Sequence, residues 1–373
     1  MLKFNRSGTL KYGYTTGSCA AAASKAALQY LLTGEYQDKV TIDLPDGGNI
    51  DIAINRIDLQ DGQASAEVIK DAGDDPDVTH GVSVFSTVEL VAGGEIIIDG
   101  GAGVGRVTKP GLAIPVGQAA INPVPRAMIR KEISKVLPAG QGAKIIISVP
   151  EGEKLAARTM NPRLGITGGI SIIGTSGIVR PMSENAYVDS LLPQISQAIA
   201  LGHKILVLTP GGMGAKKAAE LGITEDAVIL TSNFIGELLQ ECALRQVEGI
   251  LLLGHIGKLI KVAGGIFNTH SHIADARREI LAAHAAMLGA PPDLIKEIMT
   301  LNTMEASLNL MKSCQMEQVY HSIAAAASRR CHDIVEDKIK TGTVMYALDG
   351  HIIGYDTEAL ELGRMLKWNI KLK

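Results

Sequence analysis

The sequence predicts an α/β protein in two parts. Residues 1–185 read as an α+β domain with a mixed sheet, and residues 186–373 as a domain with a parallel sheet, flanking helices and a terminal hairpin. Three observations predict this. The chain has 373 residues, more than one hydrophobic core usually serves. Its first half is mostly short strands with few helical stretches. Its second half repeats apolar run, turn and helical stretch at the spacing of βαβ units. Hydrophobic residues at 46% and charged residues at 20% supply the cores and argue against disorder.

In order along the chain, SCAAAASKAALQYLL is helical, with Ser18 as candidate N-cap. VTIDLP, NIDIAINRI and QASAEVI are strands joined by the turns DGG and DLQDG. TVELV and GEIIID follow. PRAMIRKEISKVL is a helix with Pro125 at a first position, and AKIIISVP is another strand. In the second half HKILVLTP leads to AKKAAELG, DAVILTS leads to NFIGELLQECALRQ, and EGILLLGHIG is the third apolar run. Right-handed crossovers place helices on both faces of such a sheet, and ligands bind beyond the carboxyl ends of its strands. Those ends are TPGGMG, TSNF and GHIGK. Helices dominate from about Ala282, and GTVMYALDGHIIGYD reads as a hairpin turning at Asp349-Gly350.

Bulk properties exclude several functions. A net charge of -3 and 3% aromatics leave neither the electrostatic footprint nor the stacking platform of a nucleic-acid binder. The most apolar stretch, GILLLGHIGKLIKVAGGIF, is interrupted by His255, Lys258 and Lys261, which is wrong for a membrane span. The opening MLKFNRSGTLKYGYTTGSC has no apolar leader core. The four cysteines form no CxxC pair, so a reducing cytoplasm is the expected location.

Five segments carry chemistry. In Tyr12–Cys19 the hydroxyls of Thr15, Thr16 and Ser18 stand at a helix N-terminus, an anion-binding arrangement, with an ordinary capped helix as the equal alternative. Cys19 is read as a small packed residue rather than a nucleophile. In Asp99–Gly111 the GGAGVG run lacks the following helix of a dinucleotide fingerprint, since Pro110 and Pro115 come next. Arg106 and Lys109 remain as cations there, with a solvated hairpin loop as the alternative. In Gly174–Tyr187, Thr175, Ser176 and Arg180 suit carboxylates, while Ser183 reads as a cap with Glu184 as first-turn acid.

The fourth segment, Thr209–Lys217, has neither Walker A spacing nor a clean G-x-G-x-x-G. Gly211, Gly212 and Gly214, with Ser232 and Asn233 of the next strand end, form a candidate adenosyl or nucleoside pocket; a tight structural turn is the alternative. The fifth, Leu253–Arg277, gathers His255, Lys258, Lys261, Asn268, His270, His272, Asp275 and Arg277 in an apolar, glycine-rich stretch. His270-x-His272 lacks a third ligand at the usual offset, so no protein metal site is expected. Asp275 orients a histidine or acts as a base.

Together these blocks resemble the cobalt-precorrin-5B C(1)-methyltransferase family of anaerobic cobalamin biosynthesis. The resemblance rests on YGYTTGSCAAAA at 12–23, GAGVGRVTKPGL at 101–112, GTSGIVRPMSENA at 174–186, TPGGMG at 209–214 and GHIGKLIKVAGGIFNTHSH at 254–272. It spans nearly the whole chain in the family's block order, and the TTG-x-C-A-A-A opening is specific to the family. It implies methyl transfer from S-adenosylmethionine, a co-substrate, to ring carbon C-1 of a ring-contracted cobalt corrinoid, giving cobalt-precorrin-6A. The cobalt arrives with the substrate. The resemblance carries over no established catalytic residue.

That chemistry gives the residues expected roles. The substrate is a polycarboxylate, so Thr15, Thr16, Ser18, Arg106, Lys109, Thr175, Ser176, Arg180, Lys258, Lys261 and His270 are candidate substrate contacts, with Arg126 and Arg163 nearby; local fields outweigh net charge here. Gly211, Gly212, Gly214, Ser232 and Asn233 are candidate donor contacts. Asp275 and His255 are the catalytic candidates. A homodimer or transient contact with pathway enzymes stays open. Two other readings stand beside this one: a non-catalytic corrinoid carrier, and a nucleotide-using α/β enzyme.

Overall fold

The computed structural model describes residues 10–336 and 338–369. The first nine residues, on which part of the leader reading falls, lie outside the described residues. The chain divides into two compact units, Met1–Glu184 and Asn185–Lys373.

In the first unit, helix α1 (Thr16–Thr33) is buried along most of its length. Its alanines, Ala20 to Ala23, Ala26 and Ala27, present no bulk. The helix therefore seats closely on α2 (Pro123–Ser134) and on strands Gln63–Ile69 and Ser83–Ala92. Two positions differ from the sequence reading. The N-cap is Thr15, whose hydroxyl accepts the Ser18 backbone N–H at 3.2 Å, so Ser18 lies inside the first turn. Thr15 alone holds the extended backbone a cap needs. Helix α2 starts at Pro123, two residues before Pro125, because Pro123 already supplies the fixed φ of a first turn.

The sheet of this unit has five strands in the order β1 (Arg56–Gln60), β2 (Gln63–Ile69), β3 (Ser83–Ala92), β5 (Gln141–Ser148), β4 (Ile96–Gly100). All pairs are antiparallel except β5 with β4, so the sheet is mixed. NIDIAINRI is broken at Ile54-Asn55 into two strands: Asn49–Ala53 pairs with Lys39–Asp43, and Arg56–Gln60 joins the main sheet.

In the second unit, β6 (Ile205–Thr209), β7 (Val228–Leu230), β8 (Gly249–His255) and β9 (Lys340–Tyr346) run parallel in the order β7-β6-β8-β9. The hairpin strand β10 (Ile352–Tyr355) closes the edge antiparallel to β9. Both faces are buried, as the apolar runs require. Leu206, Leu208, Ile250 and Leu252 enter one core, and Val207, Leu251 and Leu253 the other. The larger core is covered by α3 (Pro193–Ala200), α5 (Ile235–Leu244), α6 (Ile256–Ala263) and the helices from α7 (Arg277–Met287) to α10 (Val319–Ile334). The smaller is covered by α4 (Gly212–Glu220) and α11 (Thr357–Met365). The fold is thus α/β, with an α+β first unit and a parallel-sheet second unit. Among the described residues no helix is long and apolar enough to cross a membrane.

Candidate functional site

The five blocks sort into two groups. Blocks one to three lie in the first unit on one hydrogen-bonded ladder. The Ala120 N–H donates to the Gly105 carbonyl, the Ile172 N–H to that of Ala120, and the Gly17 N–H to that of Ile173. The hydroxyls expected to bind anions are engaged here. Thr16 Oγ1 donates to the Ile173 carbonyl at 3.2 Å and accepts its N–H at 2.9 Å, and Ser18 Oγ donates to the Gly177 carbonyl at 2.7 Å. They tie the 173–177 loop to the start of α1.

The glycines of these blocks also have internal reasons. A Cβ on Gly103 would stand 1.8 Å from the Val149 carbonyl oxygen, and one on Gly174 2.3 Å from Thr15 Oγ1. They permit backbone to meet other parts of the protein at close range.

Cations remain around this ladder. Arg106 binds Asp99 at 3.0 Å and the Gly117 carbonyl at 3.2 Å. Arg126 donates to the Ile98 carbonyl at 2.8 Å. The aliphatic stem of Lys109 packs over Gly165. Thr175 and Arg180 are exposed, and among the described residues Arg180 has no ion-pair partner. Ser176 Oγ turns back on the Ile178 backbone. Cys19 is fully buried, and burial pushes its thiol up to about 12, which excludes a ready thiolate.

Blocks four and five meet in the second unit at the carboxyl end of the parallel sheet. Strands β6 and β8 are neighbours, but β6 is followed by α4 on one face and β8 by α6 on the other. Connections that leave adjacent strands toward opposite faces open a crevice, the usual ligand position in such sheets. Pro210–Gly214, the turn into α4 with the first residues of that helix, forms one lip and His255–Lys258 the other.

The glycine loop differs from those of the first unit. A Cβ on Gly211 or Gly212 would meet nothing within 4 Å, so backbone here borders open space. Gly214 is closed, since a Cβ would stand 1.6 Å from Thr209 Oγ1. That Thr209 hydroxyl is buried and lacks a hydrogen-bond partner among the described residues. The hydroxyl is enclosed beneath Gly214, so the surface a small molecule can approach is the bare backbone of Gly211 and Gly212.

The opposite lip is organised by His255, the N-cap of α6. Its Nδ1 accepts the Gly257 N–H at 3.1 Å. The ring proton therefore sits on Nε2 and faces Glu305 Oε2 at 3.1 Å. Glu305 Oε1 accepts the Leu348 N–H at 3.0 Å, linking this lip to the hairpin turn. Sequence reasoning missed Glu305; fifty positions from His255, it carries no local signal.

Lys258 Nζ lies 3.0 Å from Asn233 Oδ1, which also accepts from Thr269 Oγ1 at 3.2 Å. Lys261 is 3% exposed and donates to the Thr269 and Ala274 carbonyls at 3.2 and 2.7 Å. These contacts sew the 268–275 loop to the strand ends. Burial lowers the pKa of both lysines; the charge of Lys261 lowers Lys258 further, while at Lys261 Asp275 opposes the shift and Arg277 adds to it. Ser232 takes a left-handed conformation, φ 53°, at the turn after β7.

Asp275 holds Arg277 through two bonds of 2.7 Å. Arg277 keeps its carboxyl down at about 2, so it is a weak proton acceptor. His270 and His272 are exposed and stack on one another with ring centres 5.0 Å apart. Among the described residues no three His, Cys, Asp or Glu side chains are grouped to hold a metal ion.

Residues 3–181 match the family model described as CbiD, and residues 268–357 the model described as CbiD, C-terminal domain. A curated relative from Desulfitobacterium hafniense (strain Y51), named cobalt-precorrin-5B C(1)-methyltransferase, is 51% identical over 95% of this chain and 92% of its own. One of the same name from Moorella thermoacetica is 50% identical over 95% of this chain and 97% of its own. A crystal structure of a cobalamin biosynthesis protein (cbiD) from Archaeoglobus fulgidus is similar at 27% identity over 75% of this chain and 87% of that one, with a TM-score of 0.39.

Proposed function

The chain belongs to the CbiD family, and from that premise we propose how its residues divide the work. It is a C-methyltransferase of cobalamin biosynthesis that methylates C-1 of cobalt-precorrin-5B. The donor is S-adenosylmethionine, seated at the carboxyl ends of β6 and β8, and the product is cobalt-precorrin-6A. The observation that carries the donor's position is the open backbone at Gly211 and Gly212, just past the carboxyl end of β6. Ser232 and Asn233 stand at the neighbouring strand end. The cytoplasm is the proposed location.

In the reaction the sulfur–methyl bond breaks with its electron pair left on sulfur, as an electron pair of C-1 forms the new carbon–carbon bond. Such a transfer depends on holding both centres in line at near-attack distance, and positioning supplies most of the acceleration. The chain's residues suit positioning. Lys258 retains donors beyond its bond to Asn233, and Arg180 is exposed with no ion-pair partner among the described residues. Each is a proposed carboxylate contact within its own unit: Lys258 and His270 in the second, Arg180, Arg106, Lys109, Thr175 and Ser176 in the first. Thr15, Thr16 and Ser18 act by holding the loop that presents Thr175 to Arg180. His255 has its accepting nitrogen filled and Asp275 is held by Arg277, so both shape the crevice walls, and neither serves as a strong base.

The test is incubation of the protein and cobalt-precorrin-5B with S-adenosylmethionine bearing a trideuteromethyl group. A corrinoid product heavier by one trideuteromethyl is expected. Corrinoid binding with no label transferred would leave a carrier in its place.

A further inference from the structure

Beside the crevice the second unit has a polar pocket of about 140 Å³, lined by Asp275, Arg277, Arg278, Asn302, Thr303 and Met304, with Leu301 completing it. It adjoins the site by sequence and by bonding. Asp275 ends the loop that Lys261 holds through Ala274, and Met304 precedes Glu305, the partner of His255. Its volume is below the roughly 300–1,000 Å³ of a whole small-molecule site, so it takes an arm of a ligand and not a macrocycle.

Its charge is unbalanced. Arg277 is neutralised by Asp275. Among the described residues Arg278 makes one hydrogen bond, from Nη1 to the Met299 carbonyl at 3.2 Å, and no carboxylate stands within ion-pair distance of it. Four of its five N–H donors remain. The Thr303 hydroxyl accepts the Ala306 N–H at 3.2 Å, which leaves its own proton to donate. The Asn302 side chain is exposed and adds two more donors. Donors and a net positive charge converge on a space the size of a side arm.

We propose that this pocket is a carboxylate subsite, with Arg278 as the charged anchor and Asn302 and Thr303 as donors, which takes one acetate or propionate arm of the corrinoid. The proposal deepens the reading of the substrate given above and rests on it. A guanidinium holds a carboxylate in two parallel bonds, so the anchor reads both charge and planarity. Arg277 stays bound to Asp275 and forms the pocket wall.

The test compares two corrinoids in the intact protein. Cobyrinic acid carries free carboxylates, and cobinamide carries amides in their place. Binding is read by the corrin absorption band for the native protein, Arg278→Ala and Arg278→Lys. Arg278→Ala is expected to weaken cobyrinic acid roughly tenfold or more, to leave cobinamide unchanged, and to leave S-adenosylmethionine affinity unchanged. Arg278→Lys is expected to recover part of the loss, since it keeps charge without the fork. Equal weakening of both corrinoids, or of neither, would overturn the subsite. Trideuteromethyl transfer by the native protein is read separately, so failure of the pocket and failure of the methyltransferase reading are distinguishable.

Discussion

At the residue scale, chemistry depends on which atoms are already engaged. His255 combines a helix cap with a strut to Glu305. Removing a cap costs about 1 kcal/mol, so His255→Ala is expected to lower unfolding stability by about that much, while His255→Asn, which keeps an accepting atom, recovers most of it. Equal losses in denaturant titrations would show that the cap does not matter. Asp275 has its folded pKa held below the ordinary value, down at about 2. The carboxylate therefore contributes stability at pH above the unfolded pKa, and the contribution is lost as pH falls through the folded one. Thermal midpoints of the native protein and Asp275→Asn are expected to differ at neutral pH and to converge in strong acid; a gap that stays constant with pH would remove the ionic role. The residue types at both positions were legible in the sequence. The contact that completes His255 was not, because Glu305 reaches it from fifty positions away.

At the element scale, the parallel strands and their helices were readable because runs such as HKILVLTP and EGILLLGHIG are apolar at consecutive positions, as burial on both faces demands. The glycines were readable only in part. Sequence shows where backbone is bare and not what it faces: at Gly103 and Gly174 it faces other backbone and side chains, and at Gly212 open space. Those two surroundings have opposite consequences. Gly212→Val is expected to weaken S-adenosylmethionine binding in calorimetric titration with little change in thermal midpoint. Gly214→Ala forces a Cβ into Thr209 and is expected to cost about 1–3 kcal/mol of stability, as overpacking does. If Gly214→Ala were neutral and Gly212→Val destabilising, the inside and outside of the loop would be reversed. The capping positions were misjudged for a simpler reason: TTGS offers three hydroxyls in four residues, and only backbone conformation selects Thr15.

At the scale of the whole molecule, each unit carries its own core, one built on alanine-rich α1 and the mixed sheet, the other on both faces of the parallel sheet. The net charge of -3 hides local surpluses of cation at Lys258, Arg180 and Arg278. Attraction between the exposed Arg180 and Arg278 and a polycarboxylate is screened by salt. The KM for cobalt-precorrin-5B is therefore expected to rise with ionic strength while the KM for S-adenosylmethionine changes less; equal shifts would argue that charge does not select the corrinoid. The central claim concerns where the methyl donor sits. Ultraviolet crosslinking of methyl-labelled S-adenosylmethionine to the full chain, followed by peptide mapping, tests it most directly. Label is expected in peptides spanning 209–217 or 254–261. Label confined to residues 10–184 would contradict the placement of the donor at the strand ends of the second unit.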